Sequence, residues 1–166
     1  LVHFTGSKVV HLSSLANGFN FPSVDTAGDP LMFAPLVKIA LEMLPEDVTI
    51  VSGHNRTGSV EDLRAYREML VATEKTVRDG LAAGTDVETL KKEKVLESWS
   101  SYAQSYVSVE EWTDTLATAL KNEWTFQPSV MEPIYHEWQA KGAQAAADLY
   151  LGIIEEGSGE DSSFET

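Results

Sequence analysis

At 166 residues the chain suits one domain with a sizeable core, or a compact domain carrying an appendage. Its 43% apolar content excludes wholesale disorder. A net charge of -14, from 26 Asp and Glu against 12 Lys and Arg, disfavours nucleic acid and anionic membranes as partners. The absence of cysteine removes disulfides, thiolate metal sites and a cysteine nucleophile. No apolar run approaches the roughly 20 residues of a membrane span, so a soluble protein is expected, of unspecified compartment.

The first 55 residues alternate strand and helix signals. Leu1–Thr5 and Lys8–Leu12 flank Gly6-Ser7, which predicts a tight β-hairpin. This opening falls directly inside strand-like sequence and lacks the basic start and apolar centre of a signal peptide, so the chain either starts there or continues upstream. Ser13–Pro30 is rich in Ser, Asn, Gly, Pro and Asp, with Phe19, Phe21 and Pro22 embedded, and reads as a loop that packs on something. Leu31–Leu44 has one apolar face through Leu36, Ile39, Ala40, Met43 and Leu44, and Pro45 ends it. Val48–Val51 is a short β-branched run, read as a buried strand that stops at Ser52-Gly53-His54-Asn55.

Beyond His54 the pattern becomes helical. Ser59 with Glu61 and Asp62 predicts a capped start, and Leu63, Tyr66, Met69, Leu70, Thr73, Val77 and Leu81 trace one face to about Gly84. Capping-box patterns at Thr85–Glu88 and Ser108–Glu111 predict helices over Val87–Trp99 and from Ser108 to about Asn122. Pro128 opens a segment over Ser129–Ala140, and Gly142 separates it from the Ala-rich Ala143–Ile154. Glu155–Thr166 has the composition of an acidic disordered tail. The fold class is therefore α/β (a mixed α+β arrangement), with divisions at 1–84, 85–124, 125–154 and 155–166.

Few residues look like chemistry. His54, at the end of a buried strand, could bind a metal or move a proton, or simply bond locally within a turn. Asn55 and Arg56 could orient it or meet a substrate. Asp25 and Asp29 lie before the first helix, where a carboxylate could reach a metal or orient a ligand histidine; Asp29-Pro30 is equally a natural helix start. His3 and His11 are expected to share one side of the hairpin in plain packing or surface roles, and His136, beside Tyr135 and Trp138, reads as packing. Trp99, Tyr102, Tyr106, Trp112, Trp124, Phe126 and Trp138 read first as aromatic glue between helices, with a carbohydrate or aromatic-ligand platform as the alternative. Lys91-Lys92-Glu93-Lys94 is the only basic cluster and reads as a solvated helix face.

The ordered segments FTGSKVVHL, NGFNFPSVDTAGD, a helix, VTIVSGHN and a long helix reaching DGLAAGTDVETL resemble the C-terminal half of a metallo-β-lactamase-fold hydrolase, over about Val2–Trp124. The resemblance implies one half of an αββα sandwich, with one or two metal ions, often zinc, that activate water. It matches His54 to the family's last metal histidine. It also places Ser14 where the family's strand carries a bridging aspartate, and a neutral hydroxyl is a poor substitute for that ligand. Nothing in the chain matches the His-x-His-x-Asp-His motif or the next ligand histidine of the family. The segment after Trp124 is similar to a helical extension found after some such hydrolases.

Three functional expectations follow. The first is a truncated or partial hydrolase that is not competent alone, needs no cofactor by itself, and pairs through its uncovered sheet face with itself or a complementary N-terminal half. The second is an active enzyme that another half or chain completes, with zinc and with His54 acting in trans near Asp25. The third is a non-enzymatic acidic helical interaction module.

Overall fold

The computed structural model describes residues 1–24, 28–54 and 56–121. Those residues form a mixed α/β fold with one four-stranded sheet and several helices. The strands are β1 (Val2–Phe4), β2 (Val9–Ser13), β3 (Thr49–Ser52) and β4 (Thr57–Gly58), in the order β1-β2-β3-β4. β2 and β3 are parallel; the two outer pairs are antiparallel. Parallel neighbours need a crossover, and the chain supplies it through α1 (Phe33–Met43). The predicted helix thus exists, preceded by a 3₁₀ turn over Pro30–Met32 whose start Asp29 caps by accepting from the Leu31 N–H at 2.9 Å.

Register decides which side chains are buried. Val10 pairs with Ile50, and with Leu12 they turn to the face covered by helices; all three are buried. The other face carries two cross-strand rows, Phe4-Val9-Thr49 and Val2-His11-Val51-Thr57. Directly paired residues share a face, so His3, opposite Val10, lies on the other side of the sheet from His11, opposite Val2. The expectation that the two histidines face one way is thereby corrected: their spacing spans a turn, and counting by twos across a turn does not preserve the face. The connection between the paired ends Phe4 and Val9 takes four residues, closed by the Ser7 N–H on the Phe4 carbonyl.

α2 (Val60–Ala82) is the spine of the fold, about 35 Å long by helix geometry. It begins with a full capping box: the Ser59 hydroxyl accepts from the Asp62 N–H, and the Asp62 carboxylate accepts from the Ser59 N–H. Its buried stripe is Val60, Leu63, Tyr66, Met69, Leu70, Thr73 and Val77. This stripe packs against α1 on one side and α4 (Val109–Lys121) on the other. α4 has the second capping box, between Ser108 and Glu111.

Trp112 of α4 is fully buried, stacks on Phe21 at 5.8 Å between centroids, and donates its indole N–H to Thr73 Oγ1 at 3.0 Å. Trp99 and Tyr102, partly buried, also pack against the core, whereas Tyr106 is 76% exposed, and the Phe-rich loop does lie on the helices. One predicted helix is shorter than its pattern. α3 covers only Val87–Lys92, because Lys94 turns to φ 52 and the Val95 N–H returns to the Leu90 carbonyl; a 3₁₀ segment over Glu97–Tyr102 follows. Leu90 and Leu96, both buried, set the two sides of that break. The expectations for Asn122–Thr166, including the helices after Pro128 and the acidic tail, lie outside the described residues. No helix among the described residues is long and apolar enough to cross a membrane.

Candidate functional site

The carboxyl ends of the parallel strands β2 and β3 lie side by side, the position at which sheets of this kind commonly present ligand-binding loops. A bulge occurs there: the register slips between His11 and Ser13, so β2 carries one residue more than β3. The extra length turns the backbone at Ser13, whose φ is 50°, and leads into Ser14. β3 ends opposite it in Ser52-Gly53-His54. The Gly53 N–H donates to the Ser13 carbonyl at 2.8 Å. A Cβ on residue 53 would lie 2.8 Å from the Ser13 carbonyl carbon and 3.1 Å from the Ser14 nitrogen, so only glycine allows this approach.

Two of the residues singled out from sequence, Ser14 and His54, thus belong to abutting turns, and both are exposed. The fastening is the hydroxyl of Ser52, which sequence reasoning passed over. Its Oγ accepts from the Gly18 N–H at 2.5 Å and from the His54 N–H at 3.1 Å. One hydroxyl therefore ties the loop after β2 to the turn after β3. No spacing rule marks Ser52; its role exists only once the strands are parallel and in register. Asn17, Gly18 and Phe19 all have positive φ (37°, 64° and 59°). For Asn and Phe that conformation costs free energy, which the surrounding packing must offset.

Arg56 is held by the loop after β2 and by the start of α2. Its guanidinium stacks on the Phe19 ring at 4.8 Å from the centroid and donates to Asp62 Oδ1 at 3.1 Å. It thereby faces the start of α2. Asp62 is held below the usual carboxylate range, chiefly by the Ser59 N–H and hydroxyl, with Arg56 adding to the effect. Asp29 moves the other way, since burial pushes its carboxyl up, and its cap bond to Leu31 offsets this only in part. Asp29 therefore does helix-start work. Phe19 meets Tyr66 edge-on at 6.2 Å. Gly58 gives the Phe19 ring its room: a Cβ there would lie 2.5 Å from it. Asp25 and Asn55 lie outside the described residues.

A catalytic zinc needs three protein donors and a structural one four. Among the described residues no group of three or more His, Cys, Asp or Glu could hold a metal ion. His54 is one donor and Ser14 a neutral hydroxyl, so this donor set does not fit the metal centre that the sequence resemblance implies, and no reaction step is derived through one. No protein-family model, curated protein or solved structure matches the chain.

Proposed function

We propose that this chain is a partial metallo-β-lactamase-like hydrolase module, not competent alone, that associates through the open face of its sheet with a second copy. The observation that carries the reading is the pair of abutting turns at the carboxyl ends of β2 and β3. They set Ser14 and His54 in adjoining turns, at the strand ends where such a hydrolase would place its bridging aspartate and its last histidine. The open face supports the second part. Val2 and Phe4 are 51% and 54% exposed, and they continue across the sheet through Val9, His11 and Val51. A sheet face with an exposed apolar edge of this kind suits docking of a second sheet, at the usual spacing of about 10 Å.

The experiment has two arms. Light scattering after size-exclusion chromatography should give a mass above one chain at micromolar concentration, and Phe4→Glu should shift it to monomer with an unchanged far-UV spectrum. A clean wild-type monomer sinks the association. Metal analysis after zinc loading and dialysis should find well under one zinc per chain. Stoichiometric zinc that His54→Ala abolishes would favour an active metal centre completed by another chain, and would overturn the partial-module reading.

A further inference from the structure

A second feature lies on the helical side of the same loops and is independent of the hydrolase reading. A cleft of about 480 Å³ opens between the Asn17–Phe19 turn, the start of α2 and the segment after Trp99. That volume falls within the range of small-molecule sites. Phe19, Asn20, Arg56, Asp62, Tyr102 and Gln104 line it. We propose that this cleft binds a neutral, hydroxyl-rich ring, a mono- or disaccharide, with Arg56 and Asp62 as paired donor and acceptor and Tyr102 as the apolar wall.

Charge selects the ligand class. Among the described lining residues the one cation, Arg56, is paired with Asp62, so the pair adds no net charge to the cleft. The whole chain carries -14, which works against an anionic ligand at every distance the salt leaves unscreened. A neutral ligand meets no such opposition. The lining then offers mixed hydrogen bonding. Arg56 uses one of its guanidinium donors on Asp62 and has others left, and Gln104 brings an amide that both donates and accepts, while the largely buried Asn20 spends an amide N–H on the Gly18 carbonyl at 3.1 Å. Sugar hydroxyls likewise donate and accept, so they suit such a lining better than a one-sided ligand does.

The cleft is also pre-shaped. Arg56 is fixed by the Phe19 ring and by Asp62, and Asp62 by the capping box. Phe19 sits at a positive φ with no room to move towards residue 58. Tyr102 is anchored by its backbone, whose carbonyl accepts from the Phe21 N–H at 2.9 Å, and by its ring against Trp99. Its phenol reaches the Ala65 carbonyl only at 3.4 Å, a long bond that a ligand hydroxyl can compete for. Groups held in place before binding lose little freedom on binding.

The test is a titration of the full ¹⁵N-labelled chain with glucose, galactose and N-acetylglucosamine, each to about 50 mM, well past millimolar affinity. Saturable shifts are expected for at least one sugar, clustered at residues 17–20, 56–65 and 101–104 and insensitive to added salt. Gln104→Ala, at an exposed side chain, and Arg56→Gln should each weaken binding about fivefold, the loss of one hydrogen bond. Benzoate, of similar size but charged, should leave those amides unmoved. The proposal is overturned if no sugar gives a saturable shift, if the shifts fall elsewhere, or if benzoate occupies the cleft instead. Zinc content does not enter, so this outcome and that of the hydrolase reading are separable.

Discussion

Gly53→Ala should destabilise the fold more than the same change at Gly6 or Gly80. The added methyl carbon would lie 2.8 Å from the Ser13 carbonyl carbon and 3.1 Å from the Ser13 oxygen and Ser14 nitrogen. Carbon contacts settle near 3.5–4.0 Å, so the overlap is about 0.7 Å or more. All three atoms are backbone, so no side-chain rotation relieves it. One of the two turns must move, at about 1–3 kcal/mol for overpacking. Moving it also stretches the 2.8 Å bond from Gly53 to Ser13, worth about 1 kcal/mol. Together these predict a loss of about 2–4 kcal/mol, a fall in Tm on the order of 10 °C for a unit of this size. Two controls calibrate the reasoning. Gly6→Ala meets nothing within 4 Å and should change stability by less than about 0.5 kcal/mol. At Gly80 the new carbon meets Leu90 Cδ2 at 2.6 Å, the mobile end of a side chain. There a helix-propensity gain of up to about 1 kcal/mol opposes the repacking of Leu90, for a net change near zero. Thermal and urea unfolding followed by circular dichroism measure all three. If Gly53→Ala unfolds at the same midpoint as Gly6→Ala, the close approach of the two turns is wrong.

Two further outcomes test the core and the capping box. Thr73→Val keeps the shape but leaves the buried Trp112 indole N–H unpaired, and should cost about 1–3 kcal/mol in urea unfolding; a variant as stable as the wild type would show that the bond contributes nothing. Asp62 titrates below its ordinary 3.8 in the folded chain, so it binds protons less readily there than when unfolded. Its stabilisation is accordingly complete above that value and is lost as pH falls through the folded one. The stability gap between wild type and Asp62→Asn should therefore be constant from pH 7 to about 5 and shrink towards pH 3. A gap that widens on acidification would contradict the assignment.

Local signals were readable where the chain interacts with itself over a few residues. The cap at Ser59, the capping box at Ser108, the Asp29-Pro30 start and the apolar stripe of α2 all depend on neighbours a few positions away, and appear as the pattern implies; the box expected at Thr85–Glu88 is instead a cap one residue on, where Asp86 accepts from the Thr89 N–H at 2.9 Å. The break after α3 was not readable. Lys91–Lys94 contains neither glycine nor proline, yet the helix ends there, with Lys94 in the left-handed region between the buried Leu90 and Leu96. β4 is equally silent, since Thr57-Gly58 is only two residues long, joins a strand former to a glycine, and pairs where β3 offers an edge. For the candidate site, the strand-to-turn shape of SGHN was visible, but the partners were not. Arg56 stacks on Phe19 from far along the chain, and no periodicity relates the two.

What the sequence determined by itself is the longer elements, most of their start signals and the buried stripe of α2, because these follow from nearest neighbours and a repeating period; in α1 the buried face runs instead through Ala34, Val37 and Ala40, and Met43, expected on it, is 38% exposed. It also determined the absence of thiolate ligands, since the chain has no cysteine, whereas the scatter of its described histidines and carboxylates is a matter of tertiary structure. Tertiary structure alone decided the rest. Parallel pairing of β2 with β3 brought the turns of Ser14 and His54 together, and Ser52 locked them with one hydroxyl. The pairing of β1 with β2 sent His3 and His11 to opposite faces, and the packing of the loop after β2 drew Arg56 back over Phe19 into a cleft. Those relations depend on register, and register is set by how an entire sheet buries one of its faces.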